Sequence, residues 1–367
     1  MSDVKDVSEL PTPALVVDLP TAKRNITRMA TYCAQHNLKL RPHTKTHKSI
    51  RMGRLQMEAG ANGLTVAKPG EAAVMADATN DLLIAYPAFD SFRAPLLAHL
   101  AAGKTIRVAV DSAEGVDRLA DAAANAGVTI GILVDLDAGF HRTGVQSPEQ
   151  SLELARHIAS RKNVRLDGLM LFPGHISSRP EEQREPLAAI AALLKQTLAL
   201  WKRDGHQATI VSGGSTPTAT QSHQIDSLTE IRPGTYVYYD MNCVAGGWCT
   251  LDDCAARVVC TVVSDAVPGK VVIDAGSKTL AADRHFLHPT TAGFGRVVEL
   301  PEASIVRISE EHGEIELNGS PAPKLGSRVT VIPNHICPCV NLHDRFWFRE
   351  EDGRLTEASV DARGRIR

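Results

Sequence analysis

From about residue 37 to residue 240 one pattern recurs: a short apolar run, a few polar, Gly or Pro positions, then a longer stretch with apolar residues at helical spacing. The runs are Leu38–Pro42, Gly63–Ala67, Leu82–Tyr86, Ile106–Val110, Ile130–Val134, Leu166–Phe172, Thr209–Ser212 and Thr235–Tyr239, eight in all. Between them lie helix-like segments such as Glu71–Ala78, Ala113–Ala126, Pro148–Arg161 and Glu181–Lys202, with Ser112 and Ser147 placed to cap two of them. Eight strand-like runs alternating with helices predict a (β/α)8 TIM-type barrel, with a doubly wound open sheet as the alternative.

Two regions depart from that pattern. Ala14–Asp18 is a strand-like run ahead of the first barrel strand, followed by a helical Thr21–Gln35. Beyond residue 246 the runs become short, closely spaced and β-like: Ala256–Val263, Lys270–Ile273, Gly295–Val298, Ser304–Ile308, Ile315–Leu317, Arg328–Ile332 and Arg345–Phe348. The expected organisation is therefore an N-terminal strand (1–20) that pairs with the β-domain, a barrel (21–245) and a C-terminal all-β domain (246–367).

Composition narrows the function classes. The 367 residues, 43% hydrophobic and 22% charged with a net charge of −2, are those of a globular chain large enough for a barrel plus a second domain. With no basic run and 4% aromatic residues, a dedicated nucleic-acid binder is not expected. The N-terminal segment has no basic-then-apolar leader, and no stretch of about 18 apolar residues occurs, so a cytoplasmic protein without a membrane partner is expected. Seven cysteines, an odd number over a long chain, read as thiols rather than a disulfide framework.

In a barrel, residues that act on a substrate come from the C-terminal ends of the strands. After the first run stands Arg41-Pro42-His43-Thr44-Lys45-Thr46-His47-Lys48. A lysine desolvated at such a mouth has a lowered pKa and forms a Schiff base with an aldehyde; the bland alternative is a solvated basic turn. After the seventh run, Gly213-Gly214-Ser215-Thr216 can turn backbone N–H groups and hydroxyls toward an anion, and Arg232-Pro233-Gly234-Thr235-Tyr236 would supply the other half of such a cup. Arg142, after the fifth run, can bond an anionic oxygen, and His175, after Phe172-Pro173-Gly174, is a candidate acid/base.

Beyond the barrel, Pro333-Asn334-His335-Ile336-Cys337-Pro338-Cys339 offers imidazole and thiolate. If Arg328–Cys337 continues as a strand, its period of two puts His335 and Cys337 on one face, within reach of one cation. Such a pair suits zinc with positions open to substrate, though a buried histidine beside a small apolar cysteine is the commoner meaning, and Cys339 and His343 compete for the ligand role.

Together these segments resemble a known family. Arg41-Pro42-His43-Thr44-Lys45-Thr46-His47-Lys48 is similar to the signature of fold-type III pyridoxal-phosphate enzymes of the D-threonine aldolase and D-serine dehydratase family. The resemblance extends through Thr12–Leu19, Arg142–Val145, Gly213-Gly214, Arg232–Tyr236, Asp274-Ala275-Gly276, Glu311-His312-Gly313 and His335-x-Cys337, and is nearest to the low-specificity D-threonine aldolase-like branch. It implies that Lys45 holds pyridoxal phosphate as an internal aldimine. Gly213, Gly214, Ser215, Gly234 and Thr235 would hold the phosphate, Tyr236 would also contact the cofactor, and Arg142 and Phe172 would lie by the ring. His335 and Cys337 would bind a divalent metal (Zn, Mn or Mg), and His175 would serve as acid/base.

The implied activity is metal-dependent cleavage of D-β-hydroxy-α-amino acids to glycine and an aldehyde by a homodimer with shared active sites. The alternative is a D-serine or D-3-hydroxyaspartate dehydratase, which gives a 2-oxo acid and ammonia. An amino-acid racemase and a non-enzymatic cofactor carrier are weaker alternatives, the first disfavoured by the His-x-Cys pair and the second by the large β-domain. Three positions depart from the family pattern: Cys337 where many aldolases carry Asp, Phe172 where Tyr is frequent, and Ser178 where some aldolases carry a histidine.

Overall fold

The computed structural model describes residues 6–367; the first residues of the expected 1–20 segment lie outside that range. The chain divides into two compact units, one of residues 27–45, 49–234 and 364–367, the other of residues up to 26, 46–48 and 235–363. The division thus falls between Gly234 and Thr235 and crosses the lysine motif itself, between Lys45 and Thr46.

In sequence order the strands are β1 (Ala14–Asp18), β2 (Lys39–Leu40), β3 (Leu64–Val66), β4 (Asp81–Ile84), β5 (Thr105–Val110), β6 (Ile130–Asp135), β7 (Val164–Met170), β8 (Ile210–Gly213) and β9 (Glu230–Ile231). Of these, β2 to β9 form an eight-stranded parallel sheet in the order β2-β9-β8-β7-β6-β5-β4-β3. Its two ends meet in a parallel bridge between His43 and Thr65, with Thr44 N–H donating to Thr65 O at 2.8 Å, and this closes a TIM-type barrel. Seven of the eight expected runs overlap a barrel strand. The eighth does not: Thr235–Val237 is a 3-10 turn, and the last barrel strand is the short Glu230–Ile231 that precedes Arg232-Pro233-Gly234. Pro233 lacks the N–H a ladder needs, so the chain leaves the sheet there.

The crossover helices follow their sequence signals. Ser112 accepts from Gly115 N–H and Ser147 from Gln150 N–H, so both hydroxyls cap the helices Ala113–Ala126 and Pro148–Ser160. Inside the barrel an apolar layer of Leu83, Ala109, Leu133 and Met170 accompanies a layer of ion pairs. Arg41 bonds both Glu230 (2.9 Å) and Asp81 (2.5 Å), and Arg107 bonds Asp81 (2.6 Å) and Asp167 (2.7 Å). Buried charges are tolerable only when partnered in this way, and each of these residues ties different strands together.

The second unit contains β1 together with β10 (Ala256–Ser264), β11 (Lys270–Ile273), β12 (Arg296–Val297), β13 (Ser304–Ile308), β14 (Gly313–Glu316), β15 (Arg328–Ile332), β16 (Arg345–Arg349) and β17 (Leu355–Ser359). All nine belong to one sheet, in which β1 lies between β10, antiparallel, and β16, parallel. Among the described residues no helix is long and apolar enough to cross a membrane.

Candidate active site

The lysine motif, which the division between the units crosses, is not a wholly solvated basic turn. Arg41, Thr44, Thr46, His47 and Lys48 are all buried, while Lys45 alone among the motif's cations is exposed. Its neighbours are fixed by specific bonds: His43 N–H donates to Pro233 O at 3.0 Å, and Lys48 Nζ donates to Ala362 O at 3.3 Å. Lys45 itself is exposed, as in the solvated reading, whereas its flanking residues are not. The loop seats its flanking residues and leaves the amine at the mouth.

The loop after β6 is organised by Asp137, whose Oδ1 accepts the N–H groups of Gly139, Phe140 and His141 at 3.0–3.1 Å. These bonds outweigh burial and hold the Asp137 carboxyl below its ordinary pKa. The turn delivers Arg142 over the face of Phe172 at 4.7 Å, with Phe140 edge-on to Phe172 at 5.3 Å. Asp135, Arg142, Thr143 and Phe172 line one small pocket. Burial pushes the Asp135 carboxyl up to about 6, although it accepts the Thr143 hydroxyl at 2.8 Å. His175 lies against Gly139, where an added Cβ would approach its ring to 3.2 Å. Burial lowers its pKa, and with nearby His141 outweighs the charge of Asp137.

The expected phosphate cup has a glycine-dependent shape. Gly214 has φ +77°, and a Cβ at Gly213 would stand 2.7 Å from Leu228. Ser215 and Thr218 hydroxyls lie 3.1 Å apart, and Gly234 N–H donates to Thr216 Oγ1 at 3.2 Å, so Gly234 is hydrogen-bonded to the Gly-Gly-Ser-Thr loop. Beneath it, the buried Arg232 donates to Ser212 Oγ and Leu171 O, each at 2.7 Å. Backbone N–H groups and hydroxyls at the ends of the last barrel strands are a donor set that fits the phosphate of pyridoxal phosphate, the cofactor the family implies.

The other unit holds Thr235, Tyr236, His335 and Cys337. Tyr236 is buried, and Thr235 Oγ1 lies 3.6 Å from Cys337 Sγ, so Thr235 stands by the thiol. The continuous strand expected through Arg328–Cys337 is also corrected: β15 stops at Ile332, before Pro333, and Ile336–Leu342 is a helix with His335 at its N-cap. His335 and Cys337 are brought together by the start of a helix, in which Pro338 needs no N–H partner. Thr46 Oγ1 is 3.1 Å from Cys337 Sγ. Burial lowers the His335 pKa, but the Cys337 charge and hydrogen bonds to Asp240 and Cys337 prevail and raise it to about 11. Cys339 and His343 are engaged elsewhere, each 3.2 Å from Thr279 O.

Among the described residues no group of three or more His, Cys, Asp and Glu side chains forms a ready-made metal cage. The imidazole and thiolate donors fit a borderline-soft divalent ion that keeps open positions. The sequence reading missed Asp137 and Asp240, and named Arg232 only as part of the anion-cup segment. An Asp just before the Met241–Ala245 helix carries a capping signal that would have found Asp240.

Comparison with known proteins agrees with both halves. Residues 17–242 match the family described as alanine racemase, N-terminal domain, and residues 255–348 match the putative serine dehydratase domain. The chain is 29% identical to a D-threonine aldolase of Arthrobacter sp., covering 92% of this chain and 89% of that protein. It is 32% identical to the D-threo-3-hydroxyaspartate dehydratase of Delftia sp. (strain HT23), covering 89% and 91% respectively. The crystal structure of D-threonine aldolase from Filomicrobium marinum superposes with a TM-score of 0.91 at 29% identity, over 100% of both chains. With its barrel and its β-unit each matched, the chain belongs to the fold-type III lyase family that joins an alanine racemase-like N-terminal domain to a serine dehydratase-like domain.

Proposed function

We propose that this protein is a pyridoxal-phosphate- and divalent-metal-dependent aldolase that cleaves D-β-hydroxy-α-amino acids of the D-threonine type to glycine and an aldehyde. The observation that carries the reading is the prearranged imidazole and thiol of His335 and Cys337, present in a chain that also carries the exposed lysine Lys45 in its lysine motif. A racemase needs no such metal pair.

In this reading Lys45 holds the cofactor through its amine, and Gly213, Gly214, Ser215 and Gly234 hold the phosphate. Arg142, kept in place on Phe172, lies beside the ring, while His335 and Cys337 hold the metal, for which their N and S donors suit zinc better than Mg or Mn. When bound, the cofactor takes up the electrons of the bond broken at Cα, and the metal polarises the β-hydroxyl oxygen. His175, largely neutral near pH 7 because its pKa is lowered, takes the β-hydroxyl proton onto a ring nitrogen. A cytoplasmic homodimer belongs to the same proposal, with light scattering as its check.

A dehydratase reading is favoured by one observation, the 32% identity to the Delftia enzyme. There Lys45 would remove the α-proton and the β-hydroxide would leave. Product analysis separates the two: metal-loaded protein with D-threonine gives glycine and acetaldehyde, abolished by chelator, if it is an aldolase. Formation of 2-oxobutanoate and ammonia instead would establish the dehydratase.

A further inference from the structure

Asp240 answers three hydrogen-bonding demands at once. Its Oδ1 accepts the Cys243 N–H at 2.9 Å and so caps the Met241–Ala245 helix. Its Oδ2 accepts the Ile336 N–H at 3.1 Å and faces His335 Nδ1 at 3.0 Å. The residue is 1% exposed. A buried carboxylate persists only if donors surround it, and an ionised carboxylate accepts but cannot donate. His335 must therefore turn its Nδ1–H to Asp240, which leaves Nε2 as the ligand nitrogen.

The backbone reinforces this choice. Met241 N–H donates to Pro333 O and Asn242 N–H to Asn334 O, both at 3.1 Å. The segments that carry Asp240 and His335 are thus clasped on either side of the pair. Their separation is set by main chain, not by free rotation of side chains.

We propose that Asp240 is a positioning residue that presets His335, with Nε2 outward, as a ligand for a zinc-like divalent cation. The inference rests on the assignment of His335 and Cys337 as the metal pair. A carboxylate on the far nitrogen fixes the ring's orientation and tautomer and strengthens the donor, and loss of such a partner costs about 10- to 100-fold in metal affinity.

The test is zinc affinity, read by competition with a chromogenic chelator on full-length protein loaded with pyridoxal phosphate. Asp240→Asn keeps an acceptor for the Cys243 N–H but opposes amide donors to Nδ1–H. Asp240→Ser keeps a good helix cap while its short side chain falls short of His335. Both variants are expected to bind zinc about 10- to 100-fold more weakly, with cofactor absorbance and near-UV circular dichroism unchanged. Wild-type zinc affinity in either folded variant would overturn the proposal and leave Asp240 as a cap alone.

Should neither variant fold, long-range imidazole NMR of zinc-loaded wild type decides: an N–H retained on His335 Nδ1 supports the proposal, and zinc on Nδ1 overturns it. His335→Ala, measured alongside, separates this idea from the reading beneath it. Unchanged zinc binding there would show that the metal assignment itself is wrong.

Discussion

Lys45 and His335 are both expected to do chemistry, yet the fold treats them in opposite ways. Lys45 is exposed on a loop whose other cations are buried, and its side chain is left to reach outward. His335 is held at the N-cap of a helix, with its ring bonded to the buried Asp240. Under the proposed roles, the difference follows from what each would bind. A lysine that bonds covalently to a cofactor gains its orientation from that bond and from the phosphate held elsewhere, so the amine needs mobility. A metal gains its geometry from ligands already in place, and two ligands set at the wrong angle lose most of their affinity.

The largest effect expected from breaking this contrast is at Lys45. Lys45→Ala should remove the visible absorbance of bound cofactor and lower turnover by at least about 1,000-fold, while zinc affinity stays as in wild type. Coupled loss of zinc binding would show that the two sites are not independently organised.

His335→Ala or exhaustive chelation comes next. Turnover of D-threonine should fall by about 100-fold or more while the cofactor spectrum is retained, and zinc should restore the chelated wild type but not the variant.

A smaller effect is expected at His175. His175→Asn should reduce turnover by about 100-fold and abolish the acid limb of the pH–rate profile. Burial lowers this imidazole's pKa, so the wild-type limb should lie below the ordinary histidine range near 6.5. A limb at or above that range would remove His175 from the base role.

The smallest effect concerns stability. Burial raises the Asp135 carboxyl to about 6, above its ordinary 3.8, so the native state binds this proton more tightly than the unfolded chain does. Stability from this group is therefore present at low pH and lost as pH rises between about 4 and 6, with an upper bound of about 3 kcal/mol. Asp135→Asn, which keeps an acceptor for the Thr143 hydroxyl, should raise the melting temperature at pH 8 and flatten its pH dependence. Equal destabilisation at pH 5 and pH 8 would contradict this account.

The same contrast runs through what could be read before folding. The barrel was legible because local signals suffice for it: alternating apolar runs, and Ser112 and Ser147 standing where helices begin. Its last strand was misplaced because Thr235–Tyr239 is more apolar than Glu230–Ile231, whose polar residue is satisfied by Arg41 and Ser212 at the two neighbouring strands, β2 and β8. A partner so distant in sequence leaves no local trace. The His335–Cys337 pair was found by type but given the wrong conformation, since what ends the strand and starts the helix includes a bond from Ile336 N–H to Asp240, far away in the chain.

The sequence by itself determined the alternation that builds the barrel, the β-rich character of the second unit, and the residue types able to hold an aldehyde cofactor and a soft metal, because spacing and chemistry are properties of neighbours. Only the tertiary structure decided that β1 inserts between β10 and β16, that Lys45 stays exposed while its flanking residues are buried, and that Asp240 claims Nδ1 of His335. Those outcomes depend on burial and on hydrogen-bond partners brought together from remote parts of the chain, and a buried polar group takes whichever partner the fold supplies.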